Sequence, residues 1–133
     1  MKKGFTLIEI LIVMVLVGLS ISIVIPNIGR SYDNIKFRSE AKKFQELMQK
    51  AKFHAFYYQK TVVVSEQNHQ LAVQGLTLSE DEIPKLDVEI KGEILFSPNG
   101  VSSGGEVVLY LKDTPKAVIR VENFTGRITR KSL

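Results

Sequence analysis

The residues near the N-terminus combine a charge with surroundings that should exclude it. Glu9 lies among apolar side chains, and the stretch from Ile10 to Ile25 contains no charged residue. An ionised side chain at the centre of a bilayer costs about 2.5–3.5 kcal/mol on insertion scales, and less towards the interface. A carboxylate kept at that cost indicates a functional site. It also requires a partner of opposite charge, because buried charges are tolerated when they are paired.

Two elements must position Glu9: a basic N-terminus and a membrane-length helix. Lys2 and Lys3 precede Gly4 and the apolar segment, which predicts a cytoplasmic N-terminus by the positive-inside bias. The segment Ile8–Ile25 has 18 residues, enough to span a bilayer when nearly upright. In lipid this segment is predicted to be helical, since each backbone polar group needs an internal partner.

The order and spacing of the residues around Glu9 form a recognisable motif. The sequence Gly4-Phe5-Thr6-Leu7-Ile8-Glu9, after a short basic stretch and before an apolar run, resembles the leader junction of type IV prepilins and pseudopilins. The resemblance implies cleavage after Gly4 by a prepilin peptidase on the cytoplasmic face, and N-methylation of the new terminus at Phe5. It also implies that Glu9 pairs with the N-terminal amine of a neighbouring subunit during assembly.

Pro26 marks the end of the apolar segment. It removes one helical donor and predicts a kink or local loosening, with the helix resuming after Gly29. The resemblance implies an assembly role for Pro26, because the family's helix can unwind there in a filament. The predicted organisation is a cleaved leader (1–4), a transmembrane and assembly helix (5–28), and a globular domain (29–133).

Two alternatives to the prepilin interpretation remain for the N-terminal segment. One is an ordinary secretory signal cleaved near Ser20-Ile21-Ser22, against which Glu9 argues because it lies just inside the apolar region. The other is a plain membrane anchor, which the prepilin interpretation already contains.

The sequence beyond Gly29 has helical and then strand periodicity. A helix over about 30–59 is predicted from apolar residues at alternating spacings of four and three, with Leu47 and Phe56 widening the stripe: Phe37, Ala41, Phe44, Met48, Ala51 and Ala55. Lys36, Lys43 and Lys50 lie on another face, either solvated or docked on the acidic part of a neighbouring subunit.

Strands are predicted over about 61–130. Alternating or β-branched stretches bounded by turns predict seven of them: Thr61–Ser65, Gln70–Gln74, Leu86–Ile90, Glu93–Phe96, Glu106–Leu111, Ala117–Val121 and Arg127–Arg130. The predicted fold class is therefore α+β and pilin-like, with a long N-terminal helix, transmembrane in its first half, packed on a C-terminal antiparallel β-sheet.

Charge is unevenly distributed along the chain. Residues 30–60 carry a net charge of +5, residues 61–109 carry −6, and residues 110–133 carry +4. Such alternation suits subunits that dock on one another more than it suits a uniform binder of polyanions.

A second resemblance lies in the β-region. The stretch Phe96-Ser97-Pro98-Asn99-Gly100, then Gly104-Gly105-Glu106, with the later Thr125-Gly126-Arg127, resembles the GspH/FimT class of minor pseudopilins and minor pilins. The resemblance implies a minor pseudopilin of a type II secretion pseudopilus. The alternative is a minor pilin or competence pseudopilin of a type IV pilus or DNA-uptake filament. The implied partners are other pilin or pseudopilin subunits, the prepilin peptidase and methyltransferase, and the inner-membrane assembly platform.

Residues for catalysis or cofactor binding are not apparent. The chain shows no nucleophile–base set and no glycine-rich phosphate loop opening a helix, so neither an enzyme nor a cofactor is expected. Cysteine is absent, and His54 and His69 are isolated, so no metal site is predicted. The implied location is the bacterial inner membrane, single-pass, with the C-terminal domain periplasmic or otherwise extracytoplasmic, and then the filament.

The basic C-terminal residues raise one different function, which is DNA contact. Arg120, Arg127, Arg130 and Lys131 are the candidate phosphate-binding residues. Some FimT-like minor pilins have a C-terminal Gly-Arg-x-Arg motif, but here one more residue separates the two arginines. In a strand that residue turns Arg130 to the face opposite Arg127. A solvated basic edge strand that resists aggregation is the favoured alternative.

Overall fold

A computed structural model describes residues 3–133, apart from the side chain of Asn27, and the chain forms two compact units. The first unit comprises the described residues up to Lys36, and the second comprises Phe37–Leu133. The orientation signal assigned to Lys2 lies outside the described residues. Helix α1, Leu7–Tyr57, contributes residues to both units.

Helix α1 passes through Pro26 without an interruption, so the prediction that the helix resumes after Gly29 is wrong. Proline has a backbone angle φ close to the helical value. The helix loses the hydrogen bond that the missing N–H of Pro26 would have donated to the carbonyl of Ser22.

The predicted apolar stripe of α1 is buried, with one exception. All six residues of the stripe, and Leu47 beside it, lie in the core. Phe56 was predicted to widen the stripe but is 57% exposed. Successive helical residues are about 100° apart, so the side chain that follows the buried Ala55 points away from the core.

The strands form two antiparallel sheets. The smaller sheet has the order β2-β1-β4, built from β1 (Val62–Gln67), β2 (Gln70–Gln74) and β4 (Ile94–Phe96). The larger has the order β3-β5-β6-β7, built from β3 (Asp87–Ile90), β5 (Gly105–Leu111), β6 (Thr114–Val121) and β7 (Ile128–Ser132). The predicted α+β pilin-like class is confirmed, although the strands divide between two sheets where one was expected.

The core forms where α1 meets the inward faces of these strands. Alternate residues of β1, β5 and β6 are buried, including Val62 and Val64 in β1 and Val107 and Leu109 in β5. They pack in one apolar cluster with Phe44 and the other buried residues of α1. The inward residues recur every second position in the strands and about every 3.6 positions in the helix, and both sets face one shared interior.

The acidic segment before β3 is bound by the helix of its own chain. Lys50 on α1 pairs with Glu82, which lies in a short 3₁₀ helix, Glu80–Glu82. The backbone N–H of Lys85 donates to Glu40 at 2.8 Å, and Lys43 pairs with the same carboxylate at 3.4 Å. Lys43 and Lys50 therefore have partners within the chain, an arrangement that neither sequence interpretation of the lysine face anticipated.

The Lys50–Glu82 pair makes stability depend on pH. The hydrogen bond from Lys50, followed by those from the Ser79 backbone N–H and hydroxyl, lowers the pKa of Glu82 from 4.5 to about 2. A pKa lowered by folding contributes stability above pH 4.5 that is lost as the pH falls through about 2. We expect Glu82→Gln to unfold at lower urea concentration than the unsubstituted chain at pH 5.5, and this difference to shrink near pH 2.

Urea titrations of the full chain in detergent, followed by tyrosine fluorescence, would measure this difference. Glu80→Gln is the matched control, because Glu80 belongs to the same 3₁₀ helix but forms no ion pair among residues 3–133. A pH-dependent loss of the same size in Glu80→Gln would contradict the assignment to the Lys50 pair.

Candidate processing and assembly site

The predicted scissile bond, Gly4–Phe5, lies outside secondary structure. Helix α1 begins at Leu7, and both Gly4 and Phe5 are exposed, with 80% of Phe5 accessible. Proteolysis favours exposed segments whose backbone is not committed to hydrogen-bonded structure. The geometry is therefore compatible with cleavage at this bond.

Thr6 caps the start of α1, and Glu9 is the third residue of the helix. The backbone N–H of Glu9 donates to the carbonyl of Thr6 at 3.1 Å and approaches its hydroxyl at 3.4 Å. Threonine followed three residues later by glutamate is the pattern of a capping box, in which the glutamate side chain accepts the N–H of the cap residue. That reciprocal bond is not formed in the described part of the chain, so capping does not occupy the Glu9 carboxylate.

Within residues 3–133, the Glu9 carboxylate forms neither a salt bridge nor a hydrogen bond. Its position in the first helical turn is mildly favourable, because the helix dipole stabilises a negative charge there by about 0.3–1 kcal/mol. This is smaller than the cost of about 2.5–3.5 kcal/mol at the bilayer centre. Deep in a membrane, Glu9 would thus need a cation from another group.

The first part of α1 is suited to lipid. Its apolar side chains are exposed, and the helix is long and apolar enough to cross a membrane by length and composition. The hydroxyls of Ser20 and Ser22 donate to the carbonyls of Leu16 and Gly18 at 2.8 and 3.0 Å. These bonds satisfy the hydroxyl donors without water. The cleavage site of the secretory alternative, near Ser20-Ile21-Ser22, lies within helix α1.

Three of the four basic residues proposed to contact DNA, Arg120, Arg130 and Lys131, line one pocket on β6 and β7, and Arg127 lines a different one. Arg120 pairs with Glu106 on the adjacent strand, with nitrogen–oxygen distances of 2.7 and 2.5 Å. In the β6–β7 register Lys131 is opposite Val118, whereas Arg130 is opposite the buried Ile119 and so lies on the other face. Arg127 precedes β7 and lines a groove beside α1.

The residues of the GspH/FimT-like pattern meet at one junction between loops. Ser102 forms a bridge to Phe96 and exchanges backbone hydrogen bonds with Phe124 at 3.3 and 3.0 Å. Its hydroxyl accepts the N–H of Gly104 at 3.1 Å. Ser102 is 1% exposed, and sequence reasoning missed it because a serine in a Ser-Gly stretch looks like an ordinary loop residue.

Gly104 is required at this junction. Its φ of +72° is unfavourable for other residues, and an added Cβ would lie 2.9 Å from the backbone nitrogen of Asn123. The pattern therefore has a packing explanation: a glycine that allows the loop before β5 to approach the turn before β7.

Comparison with known proteins identifies the N-terminal segment. A family model described as the prokaryotic N-terminal methylation motif matches residues 1–25, a range that contains Gly4, Phe5 and Glu9 and ends just before Pro26. No curated protein and no solved structure matches the chain.

Proposed function

We propose that this protein, whose methylation motif indicates a pilin- or pseudopilin-type subunit, is a minor pseudopilin of a type II secretion system. The observation that carries the proposal is the arrangement at the start of α1. An exposed, non-helical Gly4–Phe5 bond precedes a membrane-length helix whose third residue, Glu9, has no partner among residues 3–133. The protein serves as a structural subunit and as a substrate of its processing enzymes, and it performs no catalysis itself.

The proposed mechanism begins with cleavage by a prepilin peptidase. Hydrolysis of the Gly4–Phe5 peptide bond leaves a free amine on Phe5, which is then methylated and keeps its positive charge. The apolar first part of α1 holds the processed subunit in the inner membrane, with its N-terminus cytoplasmic and the domain from residue 29 onward on the other side.

Assembly follows from the charge left in the apolar segment. A carboxylate and an amine 4 Å apart attract by about 4 kcal/mol at an effective dielectric constant of 20. This attraction is of the same size as the cost of about 2.5–3.5 kcal/mol for an unpaired carboxylate at the bilayer centre, a cost that is lower near the interface. Pairing of Glu9 with the Phe5 amine of a neighbouring subunit would therefore favour assembly and set the axial register of the helices.

The loop junction supports the GspH/FimT class. Ser102, which is not part of the pattern, bridges to Phe96 and accepts the N–H of Gly104, so two residues of the pattern meet around it despite their separation in sequence. This junction supports the type II secretion assignment only through the class resemblance. A competence or type IV pilus filament would use the same anchor and the same cleavage.

Gly4→Leu should abolish function in the native host. A bulky side chain at the cleavage position should block the peptidase, so the precursor stays full length in the membrane and secretion of folded exoproteins is lost. Complementation of a deletion strain measures both effects, with precursor size read by immunoblot and exoproteins assayed in the medium.

Gly29→Leu is the matched control, because Gly29 is an exposed helical glycine whose added Cβ would meet nothing within 4 Å. It should be processed and should restore secretion. Normal secretion by the deletion strain, with loss of DNA uptake or pilus function, would overturn type II secretion in favour of the alternative filament.

A further inference from the structure

An apolar groove with a cationic rim lies beside α1 in the second unit. Its volume is about 460 Å³, with Phe53, Phe56 and Ile128 forming apolar walls and Lys52 and Arg127 at the rim. We call this surface the aromatic groove. Phe53 is 64% exposed, and its ring stacks on that of Tyr57 with centroids 5.7 Å apart.

The aromatic groove is not explained by the fold of the chain. Burying a phenylalanine side chain stabilises a folded protein, and the exposed faces of Phe53 and Phe56 forgo that gain. Contiguous exposed apolar patches bordered by polar groups mark interaction sites. The Lys52 ammonium is held at the rim by donating to the carbonyl of Thr125 at 2.9 Å, and the Arg127 guanidinium has no partner among residues 3–133.

A complementary surface exists on the same unit. Glu80, Asp81 and Ile83 are exposed on and just after the 3₁₀ helix, and we call them the acidic ridge. Neither Glu80 nor Asp81 forms an ion pair in the described part of the chain. Ile83 is 38% exposed beside them. The ion pair between Lys50 on α1 and Glu82 fixes the acidic ridge to the helix.

The two surfaces lie on opposite flanks of α1. Lys50, which holds the ridge, and Lys52, at the groove, stand on either side of the buried Ala51 and are about 200° apart around the helix. One molecule can therefore present its ridge on one side while its groove is occupied on the other. Contacts of this heterologous kind join copies into open rows and do not close into a dimer.

We propose that the aromatic groove of one copy binds the acidic ridge of a second copy. Ile83 would pack against Phe53 and Phe56, and the ridge carboxylates would meet Lys52 and Arg127. Groove-to-groove contact is disfavoured because it brings like charges together. The inference rests on the coarser part of the proposed function, a pilin- or pseudopilin-type subunit, since it places the globular domains of two copies of this chain side by side in a filament.

Cysteine cross-linking tests the contact in the full chain, which has no cysteine of its own. Gln49→Cys lies at the groove, and Lys85→Cys lies next to the ridge. The two variants, differently tagged, are made together in the native membrane and treated with a short bis-maleimide. A mixed-tag dimer is expected. Thr114→Cys on an exposed strand end, paired with Gln49→Cys, should give a background yield.

Reversing the charges of the groove and of the ridge tests whether the cross-link depends on their electrostatic pairing. Arg127→Glu in the groove copy should lower the mixed-dimer yield about tenfold, equivalent to about 1.4 kcal/mol. The paired change Glu80→Lys with Asp81→Lys in the ridge copy should do the same, and combining all three should restore the yield. An unchanged yield in the single-surface variants, or no restoration in the combination, would overturn the proposal.

A separate cross-link reports assembly through the apolar helices. Val13→Cys in both copies tests helix packing. A Val13 cross-link without a groove–ridge cross-link would overturn the groove–ridge contact and leave the proposed function standing. A groove–ridge cross-link without the Val13 cross-link would support the contact and count against filament assembly. Binding of short double-stranded DNA that is lost in Arg127→Glu, without cross-linked copies, would overturn the second copy as the occupant.

Discussion

Glu9→Ala should enter the membrane and lose its leader normally, yet fail to enter filaments. Cleavage acts at Gly4–Phe5, outside the helix, whereas Glu9 is the third residue of α1. Removing one partner of a buried ion pair costs about 3–5 kcal/mol, because the other charge is left unpaired. At tenfold per 1.4 kcal/mol, we expect the filament-associated fraction to fall by at least about a hundredfold. Immunoblots of sheared filaments and of membranes would measure that fraction.

Thr6→Ala separates the pairing role of Glu9 from its role at the helix start. Thr6 accepts the N–H of Glu9, and loss of such a cap costs about 1 kcal/mol. If Glu9 matters only through the capping box, the two variants should behave alike. We expect Thr6→Ala to assemble and Glu9→Gln, which keeps the shape but not the charge, to fail. Normal incorporation of Glu9→Ala would remove the pairing argument.

Phe44→Ala should destabilise the second unit by about 3–5 kcal/mol. Phe44 is fully buried and lies in the apolar cluster between α1 and the sheets. Truncation to alanine loses the transfer free energy of the ring and leaves a cavity that a close-packed core fills only in part. Since small domains are stable by about 5–15 kcal/mol, this one change removes a large share.

Phe56→Ala is the matched control on the same helix. Its side chain is 57% exposed, so we expect the free energy of unfolding to change by no more than about 0.5 kcal/mol. Urea unfolding of the processed full chain in detergent, followed by tyrosine fluorescence, gives both values. Equal destabilisation by the two variants would mean that Phe56 packs in the core, as its place in the sequence pattern suggested.

Features that depend on local periodicity could be predicted from the sequence. The spacings from Phe37 to Ala55 located the buried face of α1, and all seven strands occur near the predicted stretches. The Gly4–Glu9 segment indicated the leader junction, and the match of residues 1–25 to the methylation motif supports a pilin-type protein. These features lie within one element, where backbone geometry alone determines which residues share a face.

Contacts between distant segments required the tertiary structure. Lys50 meets Glu82 across 32 residues, and Ser102, which lies outside the GspH/FimT-like pattern, joins Phe96 to Phe124. The division into two sheets, and the pocket that brings Arg120, Arg130 and Lys131 together, also depend on which strands pair.

The Glu9 region shows most directly which features the sequence determines and which depend on the tertiary structure. The sequence by itself determined that a charged residue follows a candidate cleavage site within an apolar helix, because both features are local. Only the structure decided that Thr6 caps the helix without engaging the Glu9 carboxylate. Periodicity fixes the direction of a side chain, whereas its hydrogen-bond partners depend on three-dimensional distances that the linear pattern does not contain.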